Sequence, residues 1–71
     1  MTQEEKIGLL EEMFEADAGT LQPETALDTL RWDSMAMLSL IALFKVKFGK
    51  KLAGEQIRSF KTISDILAVM E

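Results

Sequence analysis

The fold turns on LRWDSMAMLSLIALF, residues 30–44. After Asp33 only Ser34 and Ser39 interrupt an apolar run, and no alternation marks a strand. The spacing predicts a helix over 34–48, ended by Gly49, with Lys45 and Lys47 placed to suit the negative end of its dipole. The run is too short for a bilayer, which needs about 20 apolar residues. Either Asp33 or Ser34 can cap this helix. With Asp33 as cap, Trp32 and Met37 form a hydrophobic staple; with Ser34 as cap, the pair is Asp33 and Leu38, which forms none. The Asp33 register is therefore favoured. It frees the Ser34 hydroxyl for solvent, at a helix end whose unpaired N–H groups suit an anion.

Upstream, TQEEKIGLLEEMFEAD predicts a helix over about 3–16. Thr2 with Glu5 makes a capping box, and Ile7, Leu10 and Phe14 form an apolar stripe widened by Leu9 and Met13. Glu4, Glu5, Glu11, Glu12 and Glu15 are assigned to the solvent face, and Gly19 to the stop. Between the two helices AGTLQPETALDTLRW reads as a long first loop, pinned to the core by Leu21, Leu27, Leu30 and Trp32. Downstream, GEQIRSF predicts one short turn of helix near 55–59. Thr62 with Asp65 caps a last helix, whose apolar face is Ile63, Ile66, Leu67 and Val69–Met70. The expected architecture is all-α: one domain over 1–71, a small four-helix bundle of three main helices and a short one.

Composition narrows the chemistry. With neither Cys nor His, disulfides, zinc sites and Ser-His or Cys-His catalysis are excluded. The polar, acidic MTQEEK is not a signal peptide, so a soluble, cytoplasmic monomer is expected. Residues 1–33 hold nine acids and two bases, and residues 34–71 three acids and six bases. The acidic half argues against nucleic acid. Lys45, Lys47, Lys50 and Lys51 read either as a small positive patch or as solvated lysines at a helix end.

PETALDTLRWDSMAMLSLIALFKVKFG resembles the acyl carrier protein family and its peptidyl carrier relatives. The likeness lies in the acidic first helix, the loop with spaced leucines, Asp-Ser before an apolar residue, the helix closed by Phe-Gly and the Thr-capped last helix. It covers nearly the whole chain. The resemblance implies that Ser34 carries a phosphopantetheine arm in phosphodiester linkage, with Asp33 recognised during attachment. A phosphopantetheinyl transferase would load the arm from coenzyme A, with magnesium, and acyl-handling enzymes such as a ligase, synthase or transferase would use it. The chain itself would catalyse nothing; it would shuttle thioesters, raising their effective concentration at each enzyme.

The sequence departs from that pattern where fatty-acid carriers display acids on the second helix. Ala36 and Ser39 stand there, and Lys45 and Lys47 replace further acids. Helical geometry gives two apolar stripes. Met37, Leu40, Ile41, Phe44 and Phe48 are assigned to the core. Met35, Leu38, Ala42 and Val46 continue the face of Ser34. This second stripe is either covered by the loop and short helix or forms an apolar docking face rimmed by Lys45 and Lys47. Trp32 reads as a loop anchor, Arg31 as a solvated charge, and Ser39 and Ser64 as surface hydroxyls. A specialised biosynthetic pathway is expected for the carrier. A peptidyl or aryl carrier and an unmodified helical interaction module stand as alternatives; an enzyme, restricted to carboxylates, is the most remote.

Overall fold

A computed structural model describes residues 2–70. Thr2 caps α1, Gln3–Met13, by the expected box: the Glu5 backbone N–H donates to the Thr2 hydroxyl at 3.2 Å, and the Thr2 N–H donates to the Glu5 carboxylate at 3.0 Å. The helix stops three residues short of the expected 16, well before Gly19. Glu15 takes a left-handed φ of 57°, and the Ala16 N–H reaches back to the Glu11 carbonyl at 2.8 Å while the Glu15 N–H reaches Glu12. This is a Schellman ending built without glycine.

The other elements are α2, Ser34–Phe48; α3, Gly54–Ser59; and α4, Ile63–Leu67. The bundle is all-α with four helices, as expected, but it has two main helices and two short ones. The last helix is corrected to five residues. Its start lies where expected; it ends early because after Leu67 the chain tightens, with the Val69 and Met70 N–H groups donating to Ile66 and Leu67 at 3.1 Å and the Val69 carbonyl accepting from Lys50. The start is tied to the loop. The Ile63 and Ser64 N–H groups donate to the Thr25 and Pro23 carbonyls at 3.0 and 2.8 Å, and Leu27 donates to Lys61 at 2.8 Å around an antiparallel bridge between Ala26 and Thr62. The Asp65 carboxylate completes this junction by accepting from Lys61 and Thr62 N–H.

The loop is not featureless. It contains a turn of 3₁₀ helix, Leu27–Thr29, and both Leu21 and Leu27 are buried. Glu11, assigned to the solvent face by its helical position, is in fact buried. Its carboxylate accepts from the Gly19 N–H at 2.7 Å and the Leu21 N–H at 3.2 Å. A buried charge is tolerated when such donors satisfy it.

Leu10, Leu27, Leu40, Phe44, Ile57, Ile63, Ile66 and Met70 make the fully buried centre. Phe44 packs against Phe48 with tilted rings at a centroid distance of 5.4 Å, and Gly49 closes α2 at φ 63°. The radius of gyration, 10.9 Å, matches the about 11 Å expected of a packed chain this long. Exposed apolar residues on α2 are therefore left out of a finished core.

Candidate functional site

The start of α2 follows the Asp33 register. Asp33 has extended backbone, and its carboxylate accepts from the Ala36 N–H at 3.0 Å. Ser34 is the first helical residue and is exposed. Among the described residues no hydrogen bond engages its hydroxyl, so the oxygen is open to chemistry at the positive end of a 15-residue helix. Approach to this point is fixed from behind: Trp32 is half-buried and tilts against Phe14 at a centroid distance of 6.2 Å. The loop anchor predicted at Trp32 thus packs onto the end of α1.

Arg31, read from sequence as a solvated charge, lines a cleft of about 420 Å³ together with Phe14, Glu15, Asp33, Met35 and Ser39. The cleft opens between the end of α1 and the start of α2. Sequence reasoning missed it because Glu15 enters only through the left-handed turn that ends α1, for which no glycine gives a signal.

The two stripes of α2 part company. Leu40 and Phe44 are buried, and Met37, Ile41 and Phe48 pack against them. Met35, Leu38 and Val46 are 71, 62 and 77 % exposed, and Ala42 is exposed beside them. The loop and α3 do not cover this second stripe, so the enclosed alternative is set aside. Lys45 is exposed on the same side of α2 as Ser34 and Leu38. Lys47 is also exposed but turns toward α1, lining a cleft of about 360 Å³ with Glu12, Leu9 and Leu43. Lys50 is no free lysine: its ammonium donates to the Val69 carbonyl at 3.2 Å, a link over 19 positions that local pattern does not reveal.

Comparison with known proteins adds no relative. No family model, no curated protein and no solved structure matches the chain.

The site therefore has to be weighed on its own chemistry. It offers an exposed primary hydroxyl, an anion-compatible helix end and a guanidinium at the neighbouring cleft. Among the described residues no group of His, Cys, Asp and Glu is placed to hold a metal ion, and no helix is long and apolar enough to cross a membrane. A lone serine without a neighbouring base is a poor catalytic nucleophile.

Proposed function

We propose that the chain is an acyl carrier protein whose Ser34 is the attachment point for phosphopantetheine. The observation that carries this reading is the division of labour at residues 33 and 34: the aspartate caps the helix and the serine hydroxyl is left exposed. The residues fit the group. A phosphodiester on Ser34 Oγ would lie beside the first-turn N–H groups of α2, and Arg31 lines the adjoining cleft, which it shares with Glu15 and Asp33. The Asp33 carboxylate keeps its charge while one oxygen is engaged with Ala36, and its outer oxygen is left for recognition by a transferase. When bound, the arm supplies a thiol for thioester linkage in a chain that has no cysteine.

The carrier is not itself an enzyme in this reading. Its partners are a phosphopantetheinyl transferase and enzymes that load or remove acyl groups, and the exposed stripe Met35, Leu38, Ala42 and Val46 with Lys45 is where they dock. The absence of acids from α2 after Asp33 favours a specialised biosynthetic pathway over general fatty-acid synthesis. Peptidyl or aryl cargo fits the same site.

Incubation with coenzyme A, magnesium and a broad-specificity phosphopantetheinyl transferase tests the reading by intact mass. The expected result is the gain of one arm, absent in Ser34→Ala. No gain on a folded chain would leave the second reading, an unmodified helical interaction module. The exposure of Met35, Leu38 and Val46 favours that alternative, since it does not depend on Ser34.

A further inference from the structure

The apolar stripe of α2 is bordered by different electrostatics on its two sides. On the side of the α2–α3 connection, a cleft of about 500 Å³ is lined by Ile41, Lys45, Gly49, Lys50 and Lys51, with no carboxylate among them. Lys50 donates to the Val69 carbonyl there, which fixes its position without neutralising its charge. On the α1 side the charges nearly cancel. Lys47 shares its cleft with Glu12, and Arg31 shares its cleft with Glu15 and Asp33. Among the described residues, a protein of net charge −4 thus keeps a cleft lined by lysines and no carboxylate along one border of an exposed apolar surface.

We propose that the protein docking on this face presents an apolar cleft with carboxylates along the single edge that meets Lys45, Lys50 and Lys51. The role of that partner as an acyl-handling enzyme rests on the carrier reading; the contact itself does not. Residues such as Met35, Leu38 and Val46 supply the contact area, and methionine adapts to its counterpart. The one-sided charge supplies orientation. A partner turned end over end would set its acids against the α1 side, where Glu12, Glu15 and Asp33 offset Lys47 and Arg31 and no net attraction is offered. At 1.5 Å per residue, Lys45 lies about 17 Å along α2 from Ser34. The partner's carboxylates therefore sit about that far from the place where Ser34 is presented. Proteins that dock through basic patches are repelled by the same edge, which gives specificity by exclusion as well as attraction.

The probes are two designed amphipathic helical peptides with the same leucine stripe, one flanked by glutamates and the other by lysines. Binding is followed by amide chemical shifts of the full chain. The glutamate peptide is expected to shift Met35, Leu38, Ala42, Lys45 and Val46 and to bind about tenfold more tightly than the lysine peptide at low salt, with the gap narrowing as salt rises. Lys45→Glu/Lys51→Glu, at two exposed positions, reverses the preference, and Lys45→Gln/Lys51→Gln reduces it to what Lys50 alone supplies. Thermal melts verify that both variants fold. Equal affinities, the opposite order, or shifts confined to α1 overturn the proposal. The intact-mass assay on Ser34 separates the two readings. Arm attachment without peptide discrimination defeats the docking claim alone, and discrimination without attachment defeats the carrier reading alone.

Discussion

At the scale of single residues, the site depends on which of two adjacent side chains caps α2. Asp33 takes the Ala36 N–H, and Ser34 is relieved of that task. Asp33→Ala is expected to cost about 1 kcal/mol of stability in denaturant unfolding. It also invites the Ser34 hydroxyl to take over the vacant capping role, so arm attachment should slow by more than the small loss of stability explains. Asp33→Asn, which retains a capping oxygen, should keep most of the stability. The comparison of attachment rates between the two variants separates capping from recognition of the carboxylate. The register itself is legible in the sequence, because Trp32 and Met37 flank Asp33 at staple spacing. The burial of Glu11 is not. Its partners, the Gly19 and Leu21 N–H groups, come from a loop whose path no local periodicity describes.

At the scale of elements, helix ends carry most of the sequence's information and most of its departures. The Thr2–Glu5 box was readable because its residues are three apart and bond each other. The end of α1 was misplaced because Glu15 occupies a conformation that glycine ordinarily marks. A side chain in that region costs about 1–2 kcal/mol. Glu15→Gly should therefore stabilise the protein by about 1 kcal/mol, seen as a raised urea midpoint at unchanged slope. The helix starts also set a pH dependence. Hydrogen bonds from Thr2 hold the Glu5 carboxyl below its ordinary value, the backbone N–H contributing most, and the Lys61 and Thr62 N–H groups do the same for Asp65. A carboxyl with a lowered folded pKa stabilises the fold above its unfolded value and loses that stabilisation as pH falls through the folded one. Through these groups the melting temperature should accordingly be independent of pH near neutrality and decline below about pH 4. Glu5→Gln and Asp65→Asn should each lower the neutral-pH melting temperature and flatten the acid decline.

At the scale of the whole molecule, the chain must hold a site steady with a small core. The all-α class and the core stripe of α2 followed from apolar spacing, and Leu40 and Phe44 are buried as assigned. The bridge of α4 to Ala26 did not follow, since it joins residues 36 positions apart, a separation that periodicity cannot see, and the early end of α4 lies beside the Lys50 bond to the Val69 carbonyl, 19 positions away. Phe44→Ala should remove about 3–5 kcal/mol. For a domain of this size that approaches the entire stability, so circular dichroism should show a largely unfolded population at 37 °C. Leu38→Asp, at a position 62 % exposed, should change stability by less than about 0.5 kcal/mol while abolishing binding of both peptides.

The seam between the loop and α4 has a mechanical meaning. Pro23 and Thr25 lend their carbonyls to Ser64 and Ile63, so the strap that delivers residues 26–33 to the head of α2 is riveted at its middle to the far end of the chain. Fraying of α4 is thereby transmitted as slack in the strap, and the amides of Leu27, Ile63 and Ser64 should exchange with solvent deuterium as one cooperative unit. The steadiness with which Ser34 is offered outward is thus governed from the tail of the protein, thirty residues downstream of the hydroxyl itself.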